Sequence, residues 1–177
     1  MLNDCGGLFE VWEEEDYTVK YEELSEKIIG AFYKVHKTLG YGFLESVYEG
    51  AMKLEFEKVG LKFENQVPIY VFYDGKVVGK FIPDFIIEEK IIVEIKANKE
   101  FGENDGKQLL NYLASTDKEV GLLLNFGIKP GIKRRVYDNE LKGCKWDDSV
   151  KGGGERDKVT RTTRTGAEGH GFFGRGE

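Results

Sequence analysis

The sequence predicts an α/β domain in which helices flank a mixed sheet, with elements in the order α-α-β-β-β-α-β. Three observations predict it. Apolar residues recur at helical spacing between about 21 and 58. Two β-branched apolar runs then flank a short charged turn between 82 and 97, as in a hairpin. Finally, a polar connector, a helical stretch and a very apolar run follow between 99 and 126, the pattern of a crossover to a parallel strand.

Taken in order, residues 1–20 carry a net charge of −5 and no clear periodicity, and read as an acidic, poorly ordered leader. Leu24, Ile28, Phe32, Val35 and Leu39 then mark an amphipathic helix over about 21–38, broken by Gly40 and Gly42. A second helix is expected over about 44–58, with Val47, Tyr48, Ala51 and Leu54 on its apolar side and Gly60 as its stop. Residues 67–73 read as a strand with an edge signal at Pro68, and Asp74-Gly75 as a hairpin turn. Residues 76–87 read as a second strand bending near Gly79 or Pro83, and 91–97 as a third. A helix over 107–116 would turn Leu109, Leu110 and Leu113 to the core, with Gln108 and Tyr112 on a neighbouring stripe. Residues 120–126 read as a central strand, and the basic segment 128–137 ends in a short strand. The domain therefore spans 21–142. Residues 143–177 read as a disordered tail, because 151–177 alone hold eight of the 23 glycines and almost no apolar residue.

Composition narrows the function classes. A hydrophobic fraction of 40% supplies a core, whereas a net charge of −6 argues against an indiscriminate polyanion binder. Cys5 and Cys144 lie far apart without ligand spacing, so free thiols are expected. No apolar run approaches the roughly 18 residues of a membrane span. A soluble, cytoplasmic protein with no membrane partner is expected.

The chemistry concentrates in the 82–97 hairpin. With a three-residue turn at 88–90, Ile87 faces Ile91 and Asp84 faces Glu94. Opposed carboxylates destabilise a strand pair, and charge in a central strand needs partners. A divalent cation between Asp84 and Glu94, with the Lys96 ammonium on the same strand face, would supply the reason. The competing reading is a solvated strand face. Glu45 falls in the first turn of the second helix, where the helix dipole favours an acid irrespective of catalysis. Lys133, Arg134 and Arg135 are either a phosphate-holding segment or ordinary surface. Tyr48 reads as core, His36 as a satisfied helix histidine, and Asn125 as a side chain that satisfies backbone at a strand end.

Pro83-Asp84 followed by Glu94-Ile95-Lys96, in this order of elements, resembles the signature of the PD-(D/E)XK nuclease superfamily, whose fold is restriction-endonuclease-like. The run Gly42-Phe43-Leu44-Glu45-Ser46-Val47-Tyr48, together with Gln108-Leu109-Leu110-Asn111-Tyr112-Leu113, is similar to the small GxxExxY proteins assigned to that superfamily. The resemblance covers roughly 21–137. It implies Mg²⁺-dependent phosphodiester hydrolysis of nucleic acid, DNA foremost, with Mn²⁺ able to substitute. It also implies Asp84, Glu94, the Ile95 carbonyl and Glu45 as metal ligands, with Lys96 and Gln108 as further catalytic groups. Homodimerisation, common among nucleases, is a further expectation. The alternative is a catalytically silent nuclease-fold module that binds nucleic acid or protein.

Overall fold

The computed structural model describes residues 19–74, 76–102 and 104–142, together with the backbone of 159–162. Its helices are α1 (Glu22–Leu39), α2 (Glu45–Lys58) and α3 (Asp105–Ala114). Its strands are β1 (Phe63–Asn65), β2 (Ile69–Tyr73), β3 (Lys76–Phe81), β4 (Phe85–Ile87), β5 (Ile91–Lys96), β6 (Val120–Asn125), β7 (Gly131–Val136) and β8 (Val159–Thr162). A five-stranded mixed sheet runs in the order β1-β4-β5-β6-β7. β5 and β6 are parallel and joined through α3, and the other pairs are antiparallel.

The two faces of that sheet hold separate cores. Alternation along β5 sends Ile91, Val93 and Ile95 to one face, where they join Ile28, Phe32 and Val35 of α1 and Tyr48, Met52 and Phe56 of α2. On the other face Ile92 meets Leu109, Tyr112 and Leu113 of α3 and Leu123 of β6. β5 and β6 are fully buried but for Lys96, which is why both read as nearly continuous apolar runs.

The strand expected over 76–87 is instead two strands in two sheets. Ile82-Pro83-Asp84 separates β3 from β4. Proline has no N–H to give to a ladder, so pairing stops there. β2 and β3 form a hairpin beside the main sheet, and β8 pairs with β2 in parallel. A strand therefore lies inside the stretch expected to be a structureless tail. The rest of that tail, the acidic leader, Cys5 and Cys144 lie outside the described residues.

The hairpin turn falls where expected, with Ile87 opposite Ile91. Glu88 and Glu89 adopt φ of 50° and 56°, and the Lys90 N–H closes the turn on the Ile87 carbonyl. Positive φ costs a non-glycine residue energy. Here Glu88 offsets it with two bonds to the Lys62 backbone, giving its N–H to the carbonyl and accepting the N–H at its carboxylate. Among the described residues no helix is long and apolar enough to cross a membrane.

Candidate active site

The β4–β5 register, continued by one residue, sets Asp84 opposite Glu94. Three side chains meet there. Asp84 Oδ2 accepts the Ile95 N–H at 2.6 Å, and Lys96 Nζ donates to Glu94 Oε1 at 2.8 Å. Glu94 is 3% exposed, and its second oxygen, Oε2, is buried with no hydrogen-bond partner.

Electrostatics follow from that burial. Desolvation, then repulsion from Asp84, pushes the Glu94 carboxyl up to about 7, more than the Lys96 hydrogen bond restores. Desolvation also raises Asp84, opposed by the Ile95 N–H and the Lys96 charge and reinforced by Glu49 and Glu45. Burial alone would lower Lys96. Its hydrogen bond to Glu94 and the nearby charges of Glu45 and Asp84 reverse this and hold it above its ordinary value, so it remains an ammonium at neutral pH.

α2 supplies the acids above the pair. Gly40 and Gly42 take φ of 72° and 104°, which fold the chain back ahead of the helix. Tyr48 then reaches back into that bend. Its hydroxyl donates to the Gly40 carbonyl at 3.0 Å and accepts the Phe43 N–H at 3.2 Å, while its ring stacks on Phe126 at 4.2 Å. Tyr48 is thus core, as expected, and it also fixes where α2 begins. Glu45, the first residue of α2, accepts the Ala97 N–H at 3.3 Å. It sits at the rim of the pair rather than between its members. Among the described residues no three His, Cys, Asp or Glu side chains converge to hold a metal ion.

Gln108 does not touch Lys96. It donates to the Tyr112 hydroxyl at 2.6 Å, and Tyr112 donates to the Ile82 carbonyl at 3.3 Å. The basic triplet splits across the sheet, as strand alternation requires. Lys133 lies 4.4 Å over the Phe101 ring, Arg134 donates to the Lys20 carbonyl at 2.7 Å, and Arg135 bonds only its neighbour's carbonyl.

Two residues join the site without a role predicted from sequence. Glu49, one turn beyond Glu45, is held by Asn65, Gln66 and Lys53, and Asn65 also bonds the Asp84 carbonyl. Its i, i+4 relation to Glu45 was the available signal. Tyr112 is the other. Burial, then the Glu94 charge, pushes its hydroxyl up to about 12, which keeps it a neutral donor. Asn125 behaves as expected, pairing its amide with both the N–H and the carbonyl of Asn98. His36 bonds the Gly127 carbonyl at 2.9 Å, a satisfied helix histidine.

The residues fit a divalent cation by one test. A buried, partnerless carboxylate oxygen beside a second carboxylate is a pair of hard donors short of positive charge. Asp84 and Glu94 are the side chains that would hold it, with backbone carbonyl and water oxygens completing the shell.

A crystal structure of SSO0001 resembles the chain at 20% identity with a TM-score of 0.44, covering 68% of this chain. The match spans 61% of that structure's length. No curated protein matches. The family profile described as the PD-(D/E)XK nuclease superfamily matches residues 22–135, across both helices, the acid pair and the crossover. With that span matched, the chain belongs to the PD-(D/E)XK nuclease superfamily.

Proposed function

We propose that the protein hydrolyses phosphodiester bonds of nucleic acid, DNA foremost, at the Asp84–Glu94–Lys96 cluster with Mg²⁺ or Mn²⁺. The observation that carries this is the convergence of two buried carboxylates, Asp84 and Glu94, with the Lys96 ammonium bonded to one of them. Two acids and one ammonium buried together leave an excess of negative charge that a divalent cation would offset. When bound, the cation would polarise the scissile phosphate and acidify a coordinated water.

The protein's own groups would do the rest. Lys96, held protonated by its acids, would give its N–H bonds to the phosphate or the water and offset charge that develops there. That makes it a donor rather than a proton acceptor. Tyr112, neutral and anchored on the Ile82 carbonyl, would position Gln108. Glu45 and Glu49 add negative potential at the rim, where a second cation or an ordered water would be drawn. We assign the chain to the GxxExxY branch on Gly42, Glu45 and Tyr48. In support, the Tyr48 hydroxyl ties down the bend that contains Gly42 and so sets the helix start that carries Glu45.

The test is cleavage of single-stranded DNA, duplex DNA and RNA in Mg²⁺ or Mn²⁺ against EDTA. Wild-type activity that Asp84→Ala and Lys96→Ala each abolish is the expected result. Activity that persists in both variants would exclude this site.

A further inference from the structure

We propose that the loop leading into α2 is a stacking platform for unpaired bases, so that the substrate is single-stranded nucleic acid. This rests on the phosphodiesterase reading above. Tyr41, Phe43 and Leu44 are 61%, 47% and 76% exposed, and all three fall within the four residues before Glu45. Ile82, also exposed, lies two residues before Asp84. Exposed apolar side chains therefore sit in the chain segments that lead into Glu45 and into Asp84.

The loop is built rigidly to present them. Gly40 and Gly42 use backbone conformations that L side chains rarely adopt, which sets Tyr41 on an outward bend. The Phe43 N–H is held by the Tyr48 hydroxyl, and its ring packs edge-on against Tyr48 at 6.1 Å. One side of Phe43 thereby rests on Tyr48 while about half of the residue stays open to solvent. Burying these rings in the domain would have been favourable. Instead, two glycines and a core tyrosine hold them at the surface ahead of Glu45.

Charge selects the occupant. Duplex recognition draws its affinity from many phosphate contacts. This chain has a net charge of −6, and its basic triplet is divided between the two faces of the sheet. Aromatic stacking accepts any base and adds affinity beyond the phosphate contacts, but the base must be unpaired and out of its stack. A single strand offers such bases directly, and the strand's phosphate would then lie over Asp84 and Glu94.

The test is binding of fluorescein-labelled oligothymidylate and oligouridylate of about 12 nucleotides, and of a blunt duplex of equal length, in Ca²⁺. The two single-stranded arms distinguish DNA from RNA. Wild type is expected to bind a single strand more tightly than the duplex. Tyr41→Ala and Phe43→Ala should each weaken that binding at least about fivefold, with duplex binding unchanged. Phe43→Trp should retain affinity and show indole quenching when the single strand is added, whereas Phe43→Leu, apolar but unable to stack, should behave like Phe43→Ala. Equal affinity for duplex and single strand would overturn the proposal, as would alanine variants that bind normally. So would variants that change only the sedimentation coefficient, because the rim would then cover a second copy. Binding is read without cleavage, so this proposal can fail while Asp84-dependent hydrolysis survives, and the reverse.

Discussion

Asp84 Oδ2 accepts the Ile95 N–H at 2.6 Å, so one carboxylate both ties β5 to the residue that precedes β4 and belongs to the candidate metal pair. The two roles can be separated. Asp84→Asn keeps an acceptor for that N–H but loses the charge. It should melt within about 1 kcal/mol of wild type and lose hydrolysis and Mn²⁺ binding. Asp84→Ala should lose both and be destabilised by about 1–3 kcal/mol, the cost of an orphaned buried donor. Thermal melts and Mn²⁺ titration calorimetry on the two variants check this.

Glu94 makes the metal-free protein pH-dependent. Its folded value of about 7 lies above the ordinary 4.5. Between those values the unfolded chain gives up its proton before the folded one does, so stability falls as pH rises through that window and stays lowered above it. Glu94→Gln removes the penalty. Its melting point in EDTA should exceed wild type at pH 8, by about 1–2 kcal/mol once the lost Lys96 pair is discounted, and match it near pH 4. Scanning calorimetry at the two pH values decides it. A variant less stable than wild type at pH 8 would mean that the Lys96 pairing outweighs burial.

Tyr48 links the core to the start of α2, which carries Glu45. Tyr48→Phe keeps the stack on Phe126 but strands the Phe43 N–H and the Gly40 carbonyl. A loss of about 1–2 kcal/mol is expected. Hydrolysis should also fall, through kcat more than KM, because Glu45 starts the helix that this bond locates. Glu45→Gln, measured alongside, should reproduce the kinetic loss without the stability loss.

The turn after Lys96 is tightly built. The Lys96 carbonyl accepts the Phe126 N–H at 2.7 Å, and Asn125 clasps Asn98 through two bonds. A Cβ on Gly127 would collide with the Asn98 and Lys99 carbonyl oxygens. Gly127→Ala should therefore cost about 1–3 kcal/mol, and Asn125→Ala a similar amount. Both should loosen Lys96 and reduce activity. Hydrogen exchange at Ala97 and Asn98 is the direct readout, and unchanged protection would contradict the assignment.

Local pattern alone made much of this protein legible. Helical periodicity placed α1 and α2, and the apolar runs of β5 and β6 declared strands buried on both faces. The 88–90 turn fixed the register that sets Asp84 against Glu94. These features are local because each depends on side-chain period or on the chemistry of one short turn. Tertiary structure decided what depends on distant chain segments meeting. Pro83 separates two strands of different sheets rather than bending one, since the residues on either side find different partners. Glu45 is engaged by the Ala97 N–H and stays at the rim, while Gln108 is taken by Tyr112 before it can reach Lys96. Strand alternation together with the Lys20 carbonyl pulled Arg134 away from its neighbours. The orphaned oxygen of Glu94 is also of this kind. An unsatisfied atom is defined by every group that could have reached it, and only the folded chain fixes that set.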